Sequence, residues 1–315
     1  MKGIIKQLLN YPMKIANSIF LYFYYKLSKK GRYEVKEVLN QSTQRVVILA
    51  PHVDDESIGA GAALLKHARS GDEITCVYIT DGSACNTDFS RDTIIAARKE
   101  EAEKVKEFIG LKEIIFLDEQ DGNVSSNQNL VNKIYEILYR INPDVIYVPF
   151  IIDGHTDHVE TTKSLLYALE QYNTDFSNIY LYEVNCPIIP NIINIINILD
   201  VELFKQKKEL LNQFKSQSVM DFDVFLLLNR MERLLNGKCY GAEVFIKTDV
   251  KKLKAICKEL ENEGFKPEQF RQLSSRYNLL ISLIKSYSLK KKYSKIVHKI
   301  INQGQKGVAS LGKNY

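Results

Sequence analysis

Arg45-Val46-Val47-Ile48-Leu49-Ala50-Pro51-His52-Val53-Asp54-Asp55-Glu56 sets an unbroken apolar run against an imidazole and three acids. A β-branched run of this kind reads as a strand, and the charged residues then fall in the loop at its carboxyl end. Negative charge packed so closely destabilises a loop unless something compensates it. A divalent cation is the simplest compensation.

Working outward, residues 56–70 carry helical spacing that Gly71 ends, 74–80 read as a strand, and 92–109 as a long helix closed by Gly110. Residues 113–117, 130–140, 145–150, 157–172 and 179–184 continue as strand, helix, strand, helix, strand. That rhythm predicts an α/β fold, a Rossmann-like and mostly parallel sheet with helices on both faces. After Pro187 the rhythm fails. The Ile/Asn/Pro-rich residues 188–199 read as a loop or short helix, 201–216 as a Lys-rich amphipathic helix, 222–235 as another helix, and 242–246 as a strand. The remainder reads as a basic helical extension, closing at 287–301 with apolar residues at helical spacing. The expected division is an N-terminal segment 1–33, a body 34–250 and a helical C-terminal extension 251–315.

The 315 residues are 45% hydrophobic and 26% charged, as in an ordinary globular protein. Five scattered cysteines without C-x-x-C spacing argue against a disulfide framework and a thiolate zinc site, and favour a reducing compartment. The net charge of +5 hides an asymmetry: residues 1–33 hold seven Lys/Arg and no acid, and residues 271–315 hold ten and none. The middle is therefore acidic. The apolar stretch 15–27 lacks a cleavage site and is shorter than the ~20 residues a spanning helix needs, so neither a secretory signal nor a membrane span is expected. The lysines of 1–33 together with the aromatics of 20–25 fit an interfacial helix on an anionic leaflet, and equally a helix docked on the protein's own body. Pro12 is expected to start or break that helix. Together the basic ends 1–33 and 271–315 suggest a cytoplasmic protein peripheral to the inner membrane face, and no nucleic-acid-binding module is visible.

Three of the five histidines lie in two acidic segments, the first being 52–56 and the second Asp153-Gly154-His155-Thr156-Asp157-His158. The second also follows a predicted strand. In an open parallel sheet, ligands bind beyond the carboxyl ends of the strands, so the two loops are expected to face one crevice. Residues three apart at a helix entry share a face. His52 and Asp55 with His158 then make an N2O set, the composition of catalytic zinc with a fourth position left for water. Asp54, pointing elsewhere than Asp55, is the candidate general base, and His155 the candidate donor to a developing oxyanion. Glu56 is expected to stabilise the helix N-terminus or orient a ligand, and His67 and His298 to be ordinary helix residues.

The segment 51–56 paired with 155–158 resembles the PIG-L/LmbE-like family of zinc-dependent N-deacetylases, which act on N-acetylglucosamine conjugates. Further similarities follow in order: Ile79-Thr80-Asp81-Gly82, Arg98 with Glu101, Asp121-Gly122, Lys207 with Ser216-Gln217, and Gly241-Ala242-Glu243-Val244-Phe245. Val53 and Thr156 stand where the family usually or often has proline. The resemblance implies one zinc per chain held by His52, Asp55 and His158, Asp54 as base, His155 as oxyanion stabiliser, and Arg98 and Asp121 on the sugar hydroxyls. The expected function is thus a hydrolase that removes the N-acetyl group from an amino sugar conjugate. A metal-dependent phosphoesterase would need more ligands, and the sequence shows no third acidic cluster to supply them for a second ion. A non-catalytic sugar-binding module on the same scaffold is the remaining alternative.

Overall fold

From Val46 to Ala50 every residue is buried, as a central strand covered on both faces requires. A computed structural model describes residues 2–28, 34–35, 43–84, 89–217 and 220–303. Its strands are β1 (Glu34–Val35), β2 (Arg45–Ala50), β3 (Glu73–Thr80), β4 (Glu113–Glu119), β5 (Val145–Pro149), β6 (Ile179–Tyr182), β7 (Ile195–Leu199) and β8 (Gly241–Thr248). The helices are α1 (Lys2–Leu27), α2 (Asp55–Arg69), α3 (Arg91–Ile109), α4 (Gln128–Ile141), α5 (Thr156–Tyr172), α6 (Val201–Leu211), α7 (Phe222–Asn236), α8 (Val250–Asn262) and α9 (Leu279–Ile301).

One sheet runs in the order β1-β7-β8-β6-β5-β2-β3-β4, with β8 antiparallel to both of its neighbours and the other pairs parallel. The chain moves outward from β2 through β3 to β4, then returns to β5 on the other flank of β2. That reversal opens a crevice at the carboxyl ends of β2 and β5. Helices α2, α3 and α6 pack together in one group, and α4, α5 and α8 in another.

Residues 195–199, expected in a loop or short helix, form the strand β7. Asn197 is not a loop residue because the sheet satisfies it: it donates from Nδ2 to Glu243 Oε2 at 3.0 Å, and Asn194, just before the strand, pairs with both backbone groups of Lys247. The Lys-rich helix also stops at Leu211, short of its expected end.

Beneath the crevice, Lys207 and Glu243 form a fully buried ion pair at 2.7 Å. Lys207 also donates to Ile58 O, and Glu243 accepts from the amides of Ala62 and Ala63, so the pair binds α6, α2 and β8 together. Lys207→Ala would leave Glu243 uncompensated, and thermal or urea unfolding should register a loss of ~3–5 kcal/mol. Gly59 permits the tightest approach of α2: a Cβ there would lie 2.1 Å from the Tyr182 ring, whose hydroxyl donates to Leu49 O.

Helix α1 runs through Pro12 rather than starting or breaking there, and its later turns dock on α7 and α9. Leu21 and Tyr25 are buried, and Asn17 donates to Arg276 O at 2.8 Å. Tyr25 donates to Glu232, which shares a hydrogen bond with Glu183. Burial pushes both carboxyls up, and the charge of Glu183 pushes Glu232 further. The fold thus keeps protons that the unfolded chain releases near pH ~4.3, so this cluster loses stability as pH rises above that value. Glu232→Gln should flatten the fall in melting temperature between about pH 5 and 8.

His67, expected as an ordinary helix residue, is buried in α2 and pairs with Asp72 at 2.6 Å and Tyr147 at 3.0 Å. Cys76, Cys186, Cys239 and Cys257 are free, and Cys85 lies outside the described residues. Among the described residues no helix is long and apolar enough to cross a membrane.

Candidate metal centre and active site

Residues 51–54 bridge β2 and α2 in a tight turn in which the amides of Asp54 and Asp55 both reach back to His52 O. Asp54 caps α2 with φ 153° and ψ −23°, a left-handed-side conformation that side chains rarely adopt. Strain of this kind costs ~1–3 kcal/mol and persists where surrounding contacts enforce it. Two such contacts are visible. Glu56 Oε2 accepts from Asp54 N, and the buried Arg98 donates to Val53 O at 2.9 Å. Glu56 is itself buried and pushed up to about 8, chiefly by burial, despite a 2.6 Å hydrogen bond from Ser57.

The second loop leaves β5 and enters α5 through His155, its N-cap. Parallel pairing of β2 with β5 brings the two loops together as the order of the strands requires. His52 Nδ1 lies 3.0 Å from Asp55 Oδ2, and His158 Nε2 lies 3.3 Å from the same oxygen. One atom each from His52, Asp55 and His158 thus falls within 4.8 Å of the others. The other nitrogen of His52 faces Asp121 and Asp157 at 3.2 Å each, and the other nitrogen of His158 faces Asp153 at 3.4 Å. Each imidazole therefore has one edge on the three-residue centre and the other on a supporting carboxylate, the arrangement that fixes the tautomer of a metal-ligating histidine.

The electrostatics demand a cation. Although burial works against it, the hydrogen bonds of Asp121, Asp157 and Asp55 hold His52 well above the usual imidazole range. Burial likewise opposes protonation of His158, yet the charges of Asp55 and Asp153 push it up to about 10. Asp55, which burial alone would raise, is held well below the carboxylate range by His158 and His52. Protons or a metal ion can supply this charge, and two imidazoles plus a carboxylate suit a borderline divalent ion. Asp54 Oδ2 is buried without a hydrogen-bond partner beside this centre, and burial plus Asp55 push its carboxyl up to about 7.

His155 is kept down to about 4 by burial and by His158 and His52. Its Nδ1 accepts from Asp157 N at 3.2 Å, so the neutral ring carries its proton on Nε2. The ring sits against His52, with centroids 4.7 Å apart.

Every expected ligand thus meets at one crevice, along with Asp54 and His155. Arg98 also comes to the loop, where it donates to Val53 O, and Asp121 reaches His52 directly. Two residues were missed from sequence. Asp157 accepts from the amides of Gly122 and Val124 besides facing His52, and Asp153 accepts from His155 N while facing His158. Their signal was present as acids one and two residues from the histidines. Asp121 and Asp157 are also the third acidic grouping that the sequence did not reveal, and with His52 and His155 they form a second close set. Their oxygens already accept hydrogen bonds from His52 and from the amides of Ala84, Gly122 and Val124, which suits orientation of His52 better than capture of a second ion. Glu101, from the Arg98–Glu101 motif, accepts from both N and Oγ of Ser216 and so ties α3 to the segment after α6.

Residues 47–169, which contain both loops, match the family model for PIG-L, GlcNAc-PI de-N-acetylase. That segment is therefore similar to PIG-L. Diacetylchitobiose deacetylase of Thermococcus kodakarensis is 28% identical over 137 residues, which are 42% of this chain and 51% of that protein. The chain therefore spans about half the length of that curated relative. Among solved structures, N,N'-diacetylchitobiose deacetylase from Pyrococcus horikoshii is similar with a TM-score of 0.55 and 22% identity, over 67% of this chain and 86% of that one. GalB, the 4-carboxy-2-hydroxymuconate hydratase of Pseudomonas putida KT2440, gives 0.53 and 15% over 65% and 95%. These likenesses show the α/β fold. A deacetylase and a hydratase share that fold, so the chemistry has to be argued from the site.

Proposed function

We propose that this protein is a zinc-dependent hydrolase that removes the acetyl group from an N-acetylated amino sugar conjugate. The observation that carries the reading is the buried, unpartnered oxygen of Asp54 beside the His52–Asp55–His158 set. A zinc ion held by those three residues would acidify a water and polarise the amide carbonyl. Asp54 Oδ2 takes the proton of the attacking water, and Nε2–H of His155 donates to the carbonyl oxygen as negative charge develops there. Asp54 then returns the proton to the departing nitrogen, so water and amide become acetate and free amine. Arg98 keeps the strained loop in place and, by its charge, favours the carboxylate form of Asp54. Asp121 orients His52 and borders the crevice, where it is available to a sugar hydroxyl. The relatives named for deacetylation of diacetylchitobiose support the amino sugar as substrate.

Acetate release from a panel of N-acetylglucosamine conjugates, with and without added zinc after chelation, tests the reading. Release that requires zinc is the expected result. No release from any conjugate, together with zinc-dependent hydrolysis of phosphate esters, would overturn it in favour of the phosphoesterase.

A further inference from the structure

Helix α1 turns one face inward, through Asn17, Leu21 and Tyr25, and the opposite face outward. On that outer face Ile19, Phe23 and Leu27 are 54%, 53% and 77% exposed, at four-residue spacing along a single stripe. Helix α9 lies alongside and leaves Ile284 60% and Tyr287 44% exposed. Between them runs a groove of about 1030 Å³, lined by these five residues and by Ile189 of the loop that leaves β6. Lys14 and Lys26 on α1, and Lys285 and Lys291 on α9, are exposed on the same two helices, and no acid occurs in residues 1–33 or 271–315.

We propose that this face docks on an anionic lipid bilayer, with the apolar stripe at the boundary between headgroups and acyl chains and the lysines among the headgroups. Aromatic and aliphatic side chains bordered by lysines are the composition that seats a helix in a membrane surface without crossing it. A second copy of the chain fits this face poorly, because a two-fold contact would set one lysine-rich surface against another. The loop lining the groove leaves β6 at the carboxyl edge of the sheet, the edge that holds the metal centre. The segment before α9 reaches that centre too: Gln272 donates to Gly154 O, and Leu273 N to Asn185 O. A docked α1–α9 face would therefore hold the crevice beside the lipid surface. The proposal does not depend on the deacetylase reading.

Vesicle co-sedimentation of the full chain tests it, using phosphatidylcholine with and without about 30% phosphatidylglycerol. The expected result is binding to the anionic vesicles and little to the neutral ones. Phe23→Ser with Ile284→Ser should weaken binding by roughly tenfold or more. Reversing Lys14, Lys26, Lys285 and Lys291 to Glu should weaken it by at least ~100-fold. All six positions are exposed, and circular dichroism confirms that each variant is folded. Deleting residues 1–33 would be a poorer test, because it also removes Leu21 and Tyr25 from the core. Equal binding by the folded variants, or equal binding to neutral and anionic vesicles, overturns the proposal. So does a solution dimer that ignores vesicles and becomes monomeric on Phe23→Ser with Ile284→Ser.

Discussion

Asp54→Asn is expected to lower the rate of acetate release by roughly 10²–10⁴-fold while one divalent ion stays bound per chain. The substitution keeps the size and shape of the side chain and removes its ability to take a proton. In the proposed site the ion is held by His52, Asp55 and His158, which Asp54 does not replace, so metal content measured after dialysis should be unchanged. Retained turnover would sink the assignment of Asp54 as base. In the proposed mechanism the same residue sets the acid limb of the pH profile. Burial and Asp55 push its carboxyl up to about 7, and the base works only when ionised, so activity falls as pH drops through that point. A bound cation favours the carboxylate and moves the limb to lower pH. Asp54→Asn should remove this limb from the residual rate.

His158→Ala is expected to abolish both ion binding and turnover. It takes one of three ligands and also leaves Asp55 and Asp153 facing each other without the imidazole that compensates them. Ion affinity should fall by more than ~100-fold, beyond the 10–100-fold loss usual for a supporting residue such as Asp157. Elemental analysis after dialysis reads the difference directly, and full ion occupancy in the His158→Ala protein would exclude His158 from the ligand set. Apart from its chemistry, the variant should unfold at lower temperature, because it buries uncompensated charge.

Much of this was legible in the sequence because apolar runs ending in ligand-type residues carry both fold and chemistry. Residues 45–50 and 145–150 could be read as strands from their side chains alone, and the parallel sheet then carried His52 and His158 to one edge. Residues 195–199 misled because asparagine normally marks a turn, and only the tertiary partner Glu243 makes Asn197 a strand residue, while Lys247 ties down Asn194 just before it. Arg98 and Glu101 had a motif but no direction. Their contacts with Val53 and Ser216 span 45 and 115 residues of sequence, a separation that local pattern does not encode. For α1 the two readings, docked helix and surface helix, competed only because each was applied to the whole helix. One face of it is docked, as burial of Leu21 and Tyr25 requires, and the other carries the exposed stripe.

The backbone of Asp54 has a bearing on how such a protein changes under selection. At φ 153° and ψ −23° an aspartate is strained, and a glycine, lacking Cβ, is strained less. Selection for thermal endurance alone would therefore favour glycine at this position, gaining ~1 kcal/mol or more by relieving the strain. On the proposed mechanism selection for turnover would forbid it, since glycine has no proton acceptor. Residue 54 is thus a point where endurance and activity pull a lineage in opposite directions. A descendant freed from catalysis should drift to glycine there before the ligand histidines decay, which makes position 54 an early marker of lost activity within a lineage.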